Sequence, residues 1–211
     1  MANYCSNFIE ITGKAEDVED LLNALKPMCN SDDCLHSENY AELFGKAKDR
    51  YFPNNVPKGE EIDFFNVYNE YGSKWFTPFI TASDIDKEDD SGYICISGDS
   101  AWSPVSALCQ KLSEYYDVSI SIEFEEPGCD FGGRHEFVSG ELTHKEETTY
   151  IIWRYLSDGL SVVLDDLECS IDYTESFVEF FFENKNLFKI ITKEERKELF
   201  ENYKNFKNGE E

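Results

Sequence analysis

Residues 118–125 read "VSISIEFE". Val118, Ile120, Ile122 and Phe124 fall on one side of an extended chain, and Ser119, Ser121, Glu123 and Glu125 on the other. Side chains alternate with a period of two in a β-strand, so this run is a strand with one buried and one wet face. A half-buried strand needs a sheet around it, and the apolar face of that sheet needs a cover.

Strands and covering helices lie on either side. "NFIEIT" at 7–12 alternates in the same way, with Ile9 and Ile11 inward, and Gly13 ends it. "KAEDVEDLLNALK" then sets Val18, Leu21, Leu22 and Leu25 at i, i+3, i+4 and i+7. That is an amphipathic helix with acids in its first turns, where the helix dipole favours them, and Pro27 is expected to stop it. "WFTPFITASD" reads as a strand entering the acidic turn "DIDKEDDSG", and "GYICIS" at 92–97 as the next strand. In "DSAWSP" at 99–104, Ser103 suits an N-cap and Pro104 a first helical position. Val105, Leu108 and Leu112 follow on one helix face. After Pro127-Gly128, residues 131–146 contain Gly132-Gly133 and Ser139-Gly140 and read as a hairpin.

The order strand–helix–strand–strand–helix–strand predicts an α+β, ferredoxin-like (split βαβ) domain over 1–147: an antiparallel sheet with helices on one face. Residues from about 28 to 62 form an insertion after the first helix, with a short helix at 38–44, and 63–71 are expected to be helical. Past residue 147 the pattern becomes mainly helical, so 148–211 is expected to be a C-terminal extension packed on the sheet. In it Thr174 is placed as the cap of a helix running through Glu183. Thr192 and Glu195 form a capping-box pattern, before a helix with Leu199, Phe200, Tyr203 and Phe206 on one face.

Charge bounds the partners. Asp and Glu total 44 and Lys and Arg 19, a formal net charge of −25. Direct binding to nucleic acid or an anionic membrane is disfavoured. A basic protein surface, a metal cation, or a surface that normally receives nucleic acid would suit it, and so would no partner, with the charge serving solubility alone. The aromatic fraction of 15% is that of a folding chain rather than an acidic disordered one. Seven cysteines at irregular spacing point to a reduced, intracellular protein. The N-terminus shows no basic segment followed by an apolar one, and no apolar run reaches membrane-spanning length, so the cytoplasm is the expected location.

Chemistry-bearing motifs are sparse. "CNSDDCLH" places Cys29, Cys34 and His36 together, but the spacing fits no common zinc pattern and a fourth ligand is not evident. "DIDKEDDSG" sets Asp84, Asp86 and Glu88 at alternating positions, yet Asp89 stands where a calcium loop needs glycine. A solvated acidic turn is the expectation, and no metal or cofactor is assigned. His135, near Cys129 and Asp130, is the one arrangement suggestive of nucleophilic catalysis; a single histidine on a strand is read as structural, and the chain as a non-enzyme. Trp75 and Trp102 are expected to plug the core at element ends. The alternative is an aromatic-lined pocket beside Glu125, Glu126 and Asp130, serving a small-molecule-binding module or an enzyme.

Four segments in order carry a resemblance: "NYCSNFIEITG" at 3–13, "EYGSKW" at 70–75, "SAWSP" at 100–104 and "EEPGCDFGG" at 125–133. Over residues 1–147 the chain resembles the YubB-type ferredoxin-like proteins, a family of phage and plasmid accessory proteins. It departs from that pattern at Tyr4 and near Tyr71, where members often carry tryptophan. The resemblance implies the fold and a mobile-element origin, not a catalytic role. Together with the charge it leads to the expected function: an acidic phage protein that binds and inhibits a host nucleic-acid-processing or defence protein, such as a CRISPR effector, as a nucleic-acid mimic. The residues expected to meet that partner are Asp84, Asp86, Glu88, Asp89, Asp90, Glu123, Glu125, Glu126 and Asp130.

Overall fold

The computed structural model describes residues 4–29, 35–51 and 72–208. The chain divides into two compact units, Met1–Glu147 and Thr148–Glu211.

The first unit is built on a sheet of seven strands: β1 (Tyr4–Gly13), β2 (Leu35–His36), β3 (Trp75–Asp86), β4 (Ser91–Ala101), β5 (Ser119–Glu126), β6 (Phe131–Val138) and β7 (Glu141–Thr148). Their spatial order is β2-β3-β4-β1-β5-β6-β7. The four central strands, β3-β4-β1-β5, pair antiparallel. That is the split βαβ order, so the unit is an α+β, ferredoxin-like domain. Helices α1 (Ala15–Cys29) and α3 (Ser106–Tyr116) bury Val18, Leu21, Leu108 and Leu112 in one cluster with Ile9, Ile11, Ile94, Ile96, Ile120 and Ile122 of the sheet. Each such side chain removed from water contributes about 1.5–3 kcal/mol. A 3₁₀ segment, Ser37–Ala47, and a single turn, α2 (Lys48–Tyr51), add Tyr40, Leu43 and Phe44 to this core. The helix expected at 63–71 lies outside the described residues.

The hairpin read at 131–146 is present as β6 and β7. Ser139 and Gly140 join them at φ 48° and 83°, both positive, as a type I′ turn demands. Two helix ends of this unit differ from expectation. Pro27 does not stop α1, which runs on to Cys29. A proline costs a helix one amide hydrogen, and near the C-terminus that is the only bond lost. The second helix starts at Ser106 rather than Pro104, and Ser103 does not cap it. The Ser103 hydroxyl donates instead to the Gly72 carbonyl. The Val105 amide is taken by Asn7 Oδ1 at 3.2 Å, from the middle of β1.

The second unit holds α4 (Tyr150–Asp158), α5 (Leu160–Tyr173), α6 (Phe177–Glu183), α7 (Leu187–Ile190) and α8 (Lys193–Asn208). Gly159, at φ 80°, separates α4 from α5. Val163, Leu167, Ile171, Phe180, Leu187, Leu199 and Tyr203 form its core. The capping box forms as expected: the Thr192 amide donates to Glu195 Oε2 at 2.7 Å and the Glu195 amide to Thr192 Oγ1 at 3.2 Å. Thr174 is not a cap; its hydroxyl donates to the Ile171 carbonyl behind it. Ser176 caps α6, two residues later, by accepting from the Glu179 amide.

Candidate functional site

Two surfaces of the ferredoxin-like unit gather functional groups. One is the sheet face turned away from α1 and α3. The pairing register fixes its occupants. Asp99 of β4 stands opposite Ser6 of β1, which stands opposite Glu125 of β5. The next row is Phe79, Ser97, Phe8, Glu123 and Arg134. Further along lie Glu10, Ser121 and Glu136, then Asp84 beside Tyr93. Phe79 is 64% exposed, Tyr4 59% and Phe8 42%, on a face where Tyr4 packs edge-on to Trp75 with ring centroids 5.4 Å apart. Arg134 is the cation of these outward positions among the described residues, and it is held by Glu136 at 2.8 Å and Glu123 at 3.4 Å.

The other surface is a cleft of about 410 Å³ at the start of α3, lined by Ser103, Pro104, Ser106, Phe124, Phe131, His135 and Glu147 among others. Ser106 enters as the first helical residue, His135 from the inward face of β6, and Glu147 from β7. His135 Nδ1 lies 2.9 Å from Ser106 Oγ, and Nε2 lies 3.0 Å from Glu147 Oε1. Phe124 meets the imidazole edge-on at 4.9 Å. Burial pushes the His135 pKa below its ordinary value, against the pull of the Glu147 charge. Burial would raise Glu147, but the Lys145 ammonium at 2.9 Å and the His135 bond together hold its carboxyl below the usual range. Glu147 is therefore an acceptor, so Nε2 carries the hydrogen, Nδ1 is a lone pair, and the Ser106 hydroxyl donates to it.

The clamp that shapes this cleft is the "SAWSP" segment. Ser100 Oγ accepts from Asn7 Nδ2 at 2.9 Å and donates to the Ser103 carbonyl at 2.6 Å. Ser73 Oγ accepts from the Ala101 amide at 2.9 Å and donates to the Trp75 carbonyl at 2.8 Å. Gly72, at φ 80°, comes so close that an added Cβ would sit 2.9 Å from the Pro104 carbonyl oxygen.

The expected site residues part company here. Asp84, Glu123 and Glu125 share the open face. Asp86 instead fixes the acidic turn, accepting from the amides of Glu88 and Asp89, and Glu88, Asp89 and Asp90 are exposed on that turn. Glu126 is not a surface acid: it is 2% exposed and caps the Pro127–Cys129 turn by accepting from the Gly128 and Cys129 amides. Asp130 is exposed just beyond, at φ 53°. Neither tryptophan plugs the core. Trp75 lies on the open face, and Trp102 is 42% exposed at φ 67°, a conformation costly for a bulky side chain. Neither they nor Asp130 line the cleft. Sequence reasoning missed Ser106 and Glu147, which lie 29 and 12 residues from His135 and meet it only where α3 and β7 come against β6.

Residues 82–152 match the family model of the ferredoxin-like domain in Api92-like protein. The matched stretch contains Ser106, His135 and Glu147. A crystal structure of a protein api92 from Yersinia pseudotuberculosis is similar at 12% identity, over 70% of this chain and 98% of that one, with a TM-score of 0.35. No curated protein matches. Among the described residues no three His, Cys, Asp or Glu side chains gather as a metal site, and no helix is long and apolar enough to cross a membrane. Cys34 and the His36 side chain lie outside the described residues.

Proposed function

We propose that this is an acidic accessory protein, of the kind phages and plasmids encode, that binds an arginine- and lysine-rich surface of a host nucleic-acid-processing or defence protein and blocks it. The reading rests on the open sheet face. There Glu10, Asp84, Asp99, Glu123, Glu125 and Glu136 are interleaved with Tyr4, Phe8, Trp75 and Phe79. Carboxylates attract a guanidinium, and an exposed ring gives its flat face something to stack on. A nucleic acid would meet the same rings and be repelled by the same acids.

The test is binding to an arginine-rich peptide and capture from host lysate, with and without nuclease, at low and high salt. Wild-type protein should hold the peptide, with affinity falling about tenfold or more between low and high salt as the charges are screened. Glu123→Lys with Glu125→Lys should abolish binding. The same charge change at Glu194 and Glu198 on α8 should leave most of it. Equal loss from both pairs would mean that net charge alone, not this face, carries the interaction.

A further inference from the structure

We propose that the cleft at the start of α3 is a second, catalytic site: Ser106 is the nucleophile for a short-chain carboxylic ester, His135 its base, and Glu147 the positioning residue that orients the imidazole. This goes beyond the partner-binding reading and rests on different residues. Three observations carry it. The hydroxyl, imidazole and carboxylate are joined at 2.9 and 3.0 Å in the order a general-base relay requires. The relay uses the ring nitrogens in the reverse of the usual sense, with Nδ1 towards the serine, but the proton path is the same. The relay opens into a cleft whose other walls include Pro104, Phe124 and Phe131, apolar surfaces suited to a small acyl group. Finally, Ser106 begins an 11-residue helix, so its own amide and that of Ala107 belong to the first turn, where helices leave donors unused. Those donors suit the negative charge that gathers on an ester oxygen.

The chemistry balances with water as the second reactant. Ser106 Oγ bonds to the ester carbonyl carbon as its proton passes to His135 Nδ1. His135 returns that proton to the leaving alkoxide oxygen as the ester C–O bond breaks, which leaves the acyl group on Ser106. Water, deprotonated in turn by His135, attacks the acyl carbon; the acid departs and Ser106 regains its proton. His135 must be neutral to begin. The groups acting on it are Glu147, Lys145 and His144 from β7 and Ser106 from α3, with Phe124 and Phe137 against its ring. Burial is the largest influence and favours the neutral ring.

A fluorophosphonate probe tests this on the full chain, read by mass spectrometry of the peptide bearing Ser106, with p-nitrophenyl acetate hydrolysis alongside. The expected result is one adduct on Ser106 and none in Ser106→Ala. Labelling should slow about 100-fold in His135→Gln, the usual weight of a general base. It should hold its rate down to a pH below the ordinary histidine range, then fall as the imidazole is protonated. Glu147→Gln should slow labelling and change that pH profile, which a residue serving packing alone would not do. Folded wild-type protein that takes no adduct on Ser106 under excess probe overturns the proposal, as does an adduct whose rate ignores both pH and Glu147→Gln. The Ser106→Ala comparison and the pH profile stand even if His135→Gln fails to fold. Loss of peptide binding by the open-face variants, with Ser106 labelling intact, separates the two readings.

Discussion

Asn7 is a short polar side chain, 3% exposed, in the inward register of β1. Its amide donates to the Cys5 carbonyl at 2.8 Å and to Ser100 Oγ at 2.9 Å, and its oxygen takes the Val105 amide. One residue thus ties β1 to the end of β4 and to the first amide before α3. Removing it strands several buried partners, each costing about 1–3 kcal/mol if left unpaired. Asn7→Ala should therefore destabilise the protein by roughly 2–4 kcal/mol in a urea melt. Asn7→Asp should do no better, because a carboxylate cannot donate to Cys5. A loss below about 0.5 kcal/mol would show that water replaces the side chain and that the network is not what holds this corner. The parity of the residue was visible in the sequence, since Asn7 shares its phase with Ile9 and Ile11. Its polarity hid the role. The same holds for Glu126, in phase with Ile122 and Phe124, and for His135, in phase with Phe131 and Phe137. Alternation tells where a side chain points; it does not tell which partner comes to meet it.

At the scale of elements, the most legible features were those whose cause is local. The strand at 118–125, the I′ turn at Ser139-Gly140 and the Thr192–Glu195 box each depend on residues a few positions apart. The start of α3 was misplaced because it depends on distant groups: Asn7 supplies the Val105 amide's partner, and Gly72 claims the Ser103 hydroxyl. The approach of β7 to β6 is another such long-range condition. A Cβ on Gly133 would lie 2.2 Å from the Glu146 carbonyl oxygen and 3.1 Å from Glu147 Cα, both backbone atoms of β7. Gly133→Ala should thus push the end of β7 outward, costing roughly 1–3 kcal/mol as an overpacked contact does. It should also draw Glu147 from His135 and slow the probe at Ser106 by tenfold or more. Wild-type stability together with a wild-type labelling rate would mean that β7 does not approach β6 this closely.

For the whole molecule, the −25 net charge acts on two equilibria with opposite signs. Like charges brought closer together by folding repel, so folding works against the charge, and added salt screens that repulsion. Attraction to a basic partner is screened by the same ions. Raising sodium chloride from about 20 mM to about 500 mM, where the Debye length shrinks well below the spacing of most surface charges, should therefore raise the thermal midpoint by several degrees. Over the same range it should weaken the arginine-rich peptide. The two curves separate a charge that serves solubility from one that serves recognition. Solubility alone predicts the rise in midpoint and no peptide affinity at any salt. Recognition through the open face predicts both slopes in the wild-type protein, with peptide binding lost at every salt concentration in the Glu123→Lys, Glu125→Lys protein and the stability slope nearly kept. A midpoint that falls with salt would mean that attractive pairs, such as Arg134 with Glu136 and Lys87 with Glu19, outweigh the repulsion in the folded state.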